Sequence, residues 1–104
     1  MLSKRIDMIR EMLAQNPTDS FLLYGLANEH KNEGDLPQAI ASYRHLLDVN
    51  PDYVAAYYHL GQTLESAGES EAAASTYDSG IAVARRIGDA HAMSELQAAR
   101  DILG

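Results

Sequence analysis

Apolar positions recur at helical spacing in six successive segments, each bounded by a turn signal. In residues 2–15, Leu2, Ile6, Ile9 and Leu13 fall on one side, with Met8 and Met12 beside them. Asn16-Pro17 ends this helix, because the residue before a proline is pushed out of helical geometry. The second helix spans about residues 20–32 and turns Leu23, Leu26 and Ala27 toward a partner. Thr18 or Asp19 supplies its N-cap, and Gly34 the left-handed residue that closes it. Asp35 caps the third helix, with Gln38 in capping-box position and Pro37 in the first turn, where a missing N–H does no harm. Its buried stripe is Ala39, Ile40, Tyr43, Leu46 and Leu47. Asn50-Pro51 stops it, and Asp52 is expected to cap a fourth helix over residues 53–66, which carries Tyr57, Leu60, Gly61 and Leu64 inward. A fifth helix over 70–86 carries Ala73, Tyr77, Gly80, Ile81 and Ala84. Gly80 would cost up to ~1 kcal/mol against alanine in a helix, so a close crossing with the next helix is expected there. Gly88-Asp89 then closes the fifth helix and caps a sixth over 89–103, whose stripe of Met93, Leu96, Ala99 and Leu103 is narrow.

Helices two to five repeat one pattern. Moved back by 34 residues, Tyr57 falls on Leu23, Tyr58 on Tyr24, Leu60 on Leu26, Gly61 on Ala27, Gly68 on Gly34, Ala73 on Ala39 and Tyr77 on Tyr43. The turn Asn50-Pro51-Asp52 falls on Asn16-Pro17-Thr18. Self-similarity at a fixed period marks a stacked-repeat protein.

The spacing resembles that of the tetratricopeptide repeat (TPR): a large residue, Leu, a small residue, later an Ala, an aromatic and a closing Pro. The first unit offers Leu23, Leu26, Ala27, His30, Ala39, Tyr43 and Pro51; the second offers Tyr57, Leu60, Gly61, Leu64, Ala73 and Tyr77, with Arg85 where the closing Pro would stand. The resemblance implies an all-α fold of antiparallel helix hairpins in a short right-handed superhelix of six helices. It further implies one TPR domain over residues 1–104: a half-repeat (1–17), repeat one (18–51), repeat two (52–86) and a capping helix (87–104). Ser94, Glu95, Gln97, Arg100 and Asp101 give the last helix the wettable face that a terminal cap needs. Small single-domain bacterial TPR proteins are similar at this end, often with a Gly-Asp-x-His start to such a helix.

Charge narrows the partners. With a net charge of −7 and basic residues scattered, neither nucleic acid nor an anionic membrane is expected to bind, since both select clustered Lys and Arg. No segment is apolar enough to span a bilayer or serve as a secretory leader. There is no cysteine, hence no disulfide, thiolate metal site or Cys nucleophile, which fits a cytoplasmic location. No nucleotide-binding or catalytic motif occurs. His30 reads as semi-buried packing, His45 as outward, His59 as beside the groove and His91 as part of the last helix's first turn; no two have the three- or four-residue spacing of helical metal ligands. Asp48/Asp52 and Glu65/Glu69 straddle helix ends, where carboxylates serve as caps and dipole partners rather than as acid–base pairs. We expect no enzyme activity, no cofactor and no metal.

On the second helix Phe21, Tyr24, Asn28 and Lys31 share a face distinct from that of Leu23 and Leu26; on the fourth, Tyr58, Gln62 and Glu65 do the same. In the TPR family the first helix of each hairpin lines a concave, protein-binding groove. By that resemblance the partner-binding residues are Phe21, Tyr24, Asn28, Lys31 and Asn32, then Tyr58, His59, Gln62 and Glu65, with Ala55 beside them. Asn28 matches an amide that many TPR grooves use to hold a peptide backbone, and Gln62 is a rough match. Tyr24 stands where chaperone-tail clamps carry a lysine, so no such clamp is expected. Tyr24 and Tyr58 have two readings at this point: ligand contact, or packing against the first or sixth helix. The expected function is a protein-interaction adaptor holding a protein or peptide. The alternative is a weak homodimer that makes up for having two repeats where about three are usual, its seam at the C-terminal end near Gly80 and the sixth helix.

Overall fold

The computed structural model describes residues 4–104, and among these the ordered elements are helices: α1 (Lys4–Gln15), α2 (Ser20–Asn32), α3 (Leu36–Val49), α4 (Val54–Ser66), α5 (Ser70–Ile87) and α6 (Ala90–Leu103). The expected Leu2 at the head of the first stripe lies outside the described residues. The heaviest packing is within the hairpins α2–α3 and α4–α5 and between α5 and α6. Thinner contacts run α3–α4, α1–α2, α4–α6 and α2–α4, so α2, α4 and α6 line up along one side of the stack.

Local chemistry sets the helix ends. Asp19 Oδ1 accepts from the Leu22 amide at 3.0 Å, Asp35 Oδ1 from Gln38 at 3.3 Å and Asp89 Oδ1 from Ala92 at 3.0 Å, satisfying first-turn N–H groups that have no helical partner. Gly34, Gly68 and Gly88 turn the chain at φ of 77–79°, a region that costs an L side chain strain. One expected cap is absent. The N-cap of α4 is Tyr53, which makes no side-chain capping bond, and Asp52 instead pairs with Arg86 on α5. The Arg86 guanidinium is a charged donor within reach, and its hydrogen bond holds the Asp52 carboxyl below its ordinary range. Glu69 likewise makes no capping bond, and Glu65 is engaged across its own hairpin.

The core runs the length of the stack and contains Leu23, Ala27, Ala39, Ile40, Tyr43, Leu46, Tyr57, Leu60, Leu64, Ala73, Tyr77, Ile81, Ala84 and Leu96; Leu26 and Leu47 are half-buried. Two glycines are set by close approach. A Cβ on Gly61 would stand 2.1 Å from Cε1 of Tyr77, and one on Gly80 would stand 2.6 Å from Cβ of Tyr57 and 3.0 Å from Leu96 Cδ1. Gly80 therefore lets α5 approach both α4 and α6. Gly80 and Leu96 are buried within the chain, whereas Met93, Ala99 and Leu103 of the same α6 stripe are half-buried. Thr63, fully buried, donates its hydroxyl to the His59 carbonyl at 2.6 Å. Tyr57 pins the turn before its helix by donating to the Pro51 carbonyl at 2.7 Å.

Candidate functional site

The side shared by α2, α4 and α6 carries the polar and aromatic residues that the core excludes. At its N-terminal end, Tyr24 of α2 is half-buried, its ring centroid 5.1 Å from Tyr53, 5.7 Å from His59 and 6.4 Å from Tyr43. His59 stacks on Tyr43 at 6.3 Å with 11° between planes and meets Tyr58 edge-on at 5.7 Å. This aromatic cluster joins the two hairpins. Such ring pairs add stability beyond their buried area and still leave polar tips accessible.

A hydrogen-bonded row follows. Tyr43 Oη donates to Asn28 Oδ1. Lys31 Nζ reaches from α2 to His59 Nδ1 and Gln62 Oε1 on α4, each at 3.4 Å, and Gln62 Nε2 donates to Tyr58 Oη at 3.0 Å. One turn on, Tyr77 Oη donates to Glu65 Oε2. Burial sets the charge states here. It lowers the Lys31 pKa and lowers that of His59, with the nearby Lys31 charge adding to the latter and Glu95 opposing it. His59 is thus held neutral, the form in which Nδ1 accepts from an ammonium. Burial likewise raises both the Tyr43 and Tyr77 phenols far above their usual range, and for Tyr77 the bond to Glu65 adds to it.

At the C-terminal end a cleft of about 390 Å³ opens between α4 and α6. Tyr58, Gln62 and Glu65 form one wall with Tyr77 behind them; Glu95, Ala98, Ala99 and Ile102 form the other.

Of the expected site residues, Tyr24, Asn28, Lys31, Tyr58, His59, Gln62 and Glu65 are joined in this network. Phe21 stands apart with 75% of its surface exposed, and Asn32 is exposed beyond Lys31. Tyr24 packs on the rings of Tyr43, Tyr53 and His59, and Tyr58 on those of His59 and Tyr77, none of them on α1 or α6; Tyr58 also lines the cleft toward α6. Asn28 spends its carbonyl on Tyr43 and keeps its N–H₂ for another acceptor. His30 is buried, and His45 and His91 are exposed, His91 lying 3.3 Å from Glu95 one turn on.

The α6 wall was not foreseen. Helix α4 starts 34 residues after α2, but α6 starts 36 after α4, because α5 has 18 residues where α3 has 14 and the turn that follows it is two residues shorter. Allowing for that shift, Leu96 follows Leu26 and Leu60, Ala98 follows Asn28 and Gln62, and Glu95 follows Gly25 and His59. So α6 stands where the first helix of a third unit would stand, and its groove positions are readable only once the two-residue offset is applied.

The stacked hairpins and the 34-residue unit define a helical-repeat protein, and the TPR pattern matches residues 24–90. The chain belongs to the tetratricopeptide repeat family, whose members are generally non-catalytic protein–protein interaction modules. It is similar to a TPR repeat-containing protein of Pseudomonas aeruginosa, 28% identical over 91 residues that span 88% of this chain and 87% of that one. A TPR domain protein of Salinibacter ruber, known from its crystal structure, is 40% identical, covers 82% of this chain and 94% of its own, and superposes with a TM-score of 0.77. The TPR2B domain of yeast Sti1, solved in complex with a pHsp70 component, superposes with a TM-score of 0.87 over 94% of this chain and 78% of its own; at 18% identity it speaks to the fold alone. No helix among the described residues is long and apolar enough to cross a membrane.

Proposed function

We propose that this chain is a non-catalytic adaptor that holds a segment of another protein along the side formed by α2, α4 and α6. One observation carries the reading: half-buried tyrosines and hydrogen-bonded amides from successive hairpins line one side that ends in an open cleft. Such a row offers contact area from the rings and directional bonds from Asn28, Gln62 and the tyrosine hydroxyls, a mixture suited to a protein backbone. Phe21, exposed at the N-terminal end, is a ready anchor for an apolar side chain. The Sti1 domain, which shares the fold, is itself in a complex with pHsp70. The test is affinity capture from the source cell's lysate with wild type beside a Tyr24→Ala, Tyr58→Ala variant whose helicity is checked by circular dichroism. The reading expects a protein held by wild type and lost by the folded variant; equal capture by both counts against it.

A second reading has its own observation. On α1, Met8 and Met12 are 55% and 48% exposed. In the 34-residue register Met12 answers to Leu46, which is fully buried. Helix α1 therefore shows water a face that its counterpart covers, and a second copy could cover it. Light scattering decides: a mass of 11.4 kDa at every concentration removes this reading, and a concentration-dependent rise that Met12→Glu abolishes supports it.

A further inference from the structure

We infer that the α4/α6 cleft receives a basic side chain, arginine or lysine, from the bound segment; this rests on the groove reading above and names the chemistry of its occupant. The first support is the neighbouring junction. Between α2 and α4 the chain fills the same kind of space with its own ammonium: Lys31 crosses to Gln62 and to His59, whose ring packs on those of Tyr24 and Tyr43. One unit on, the register puts Glu65 at the Lys31 position and Asp101 on α6 after it, so at these positions the α4/α6 junction carries carboxylates in place of a cation.

The second support is the lining. Glu65 and Glu95 stand on opposite walls. Glu65 accepts from the Tyr77 phenol and has no ion-pair partner among the described residues. Among the described residues Glu95 has only His91 as an ion-pair partner, an exposed contact that is ionic when the imidazole is protonated. The cations nearby already have partners: Lys31, which shares a neighbouring hollow with Gln62, Glu65 and Ser66, bonds Gln62 and His59, and Arg100 bonds Asp78 on α5 at 3.0 Å. Between the carboxylates the surface is apolar and aromatic, from Ala98, Ala99 and the exposed Ile102 to Tyr58 and Tyr77. A long basic side chain matches both features. Its methylenes lie on the alanines and Ile102, its head meets the ring faces, and its charge lies between Glu65 and Glu95. An acidic side chain in the same place would meet two like charges on a chain of net charge −7.

The experiment is a ¹H–¹⁵N NMR titration of the whole chain with three capped heptapeptides, Ala-Ala-Leu-X-Leu-Ala-Ala, in which X is arginine, norleucine or glutamate. The inference predicts saturable shifts at Tyr58, Gln62, Glu95 and Ala98 with the arginine peptide. It also predicts at least about tenfold weaker binding for norleucine and glutamate, the scale of a charge-assisted contact. A Glu65→Gln, Glu95→Gln variant keeps an acceptor for Tyr77 and should lose the arginine preference with unchanged circular dichroism. Equal binding of the arginine and norleucine peptides on the α2/α4/α6 side would overturn the basic-side-chain assignment and leave the groove reading standing. Shifts by none of the three, or only outside that side, would overturn both.

Discussion

In the first hairpin the buried phenol of Tyr43 donates to the amide of Asn28; in the second, 34 residues on, the phenol of Tyr77 donates to the carboxylate of Glu65. The rings are equivalent and both are fully buried, but their partners are not: Asn28 answers to Gln62, and Glu65 to Lys31. A one-carbon difference beneath the ring accompanies the change. Gly61 lets Tyr77 come within 2.1 Å of where a Cβ would be, whereas Ala27 already carries that Cβ and must keep a ring farther off. The repeat thus fixes the apolar stack and leaves the polar tips free to differ. That freedom gives the two halves of the groove opposite character, a lysine held by amide and imidazole in one and a carboxylate facing a cleft in the other.

The largest expected effect tests the shared part. Tyr43→Ala and Tyr77→Ala should each cost about 4 kcal/mol in urea unfolding, since each empties a buried aromatic site. A large difference between them would deny that the hairpins are equivalent. Next comes the small residue below the ring. Gly61→Ala should destabilise by about 2–3 kcal/mol through overpacking against Tyr77, even though alanine is the better helix former. Stabilisation instead would show that the ring can withdraw. Smaller again is the polar tip: Tyr77→Phe should cost about 2 kcal/mol and Tyr43→Phe about 1 kcal/mol, because a bond to a carboxylate is worth more than one to an amide. Equal losses would erase the contrast.

The last effect is one of pH. Burial and Lys31 hold the His59 pKa below its ordinary 6.5, so the folded chain favours neutral imidazole more than the unfolded chain does. Its contribution is complete above pH 6.5 and is lost as the pH falls from there through the lowered folded value. Urea midpoints of wild type and His59→Asn should therefore converge as the pH drops from 8 to 5. Parallel curves would mean that His59 is not held neutral.

Most of the scaffold was legible in the sequence because short-range chemistry writes it. Asp19, Asp35 and Asp89 cap the helices they precede, Gly34, Gly68 and Gly88 close the ones they follow, and the apolar stripes of α2 to α5 are the core. Asp52 misled because an acidic residue after Pro51 and before a helix reads as a cap, while its actual partner, Arg86, lies 34 residues away on another helix. The site was legible as positions on helix faces but not as bonds. Which acceptor a phenol meets goes with the residues opposite it, Lys31 where the second hairpin has Glu65 and Ala27 where it has Gly61, and so with contacts across the hairpin. The α6 wall was hidden by the two-residue offset, and Ile102, 84% exposed, lay outside the stripe that periodicity picks out.

The central claim is that the α2/α4/α6 side is where another protein is held. Hydrogen exchange read by mass spectrometry, on the chain alone and on the complex captured from lysate, tests it most directly. The account predicts slowed exchange in residues 20–32, 54–66 and 90–103, with α1 unchanged. Slowing confined to α1 would contradict it and move the interface to the methionine face.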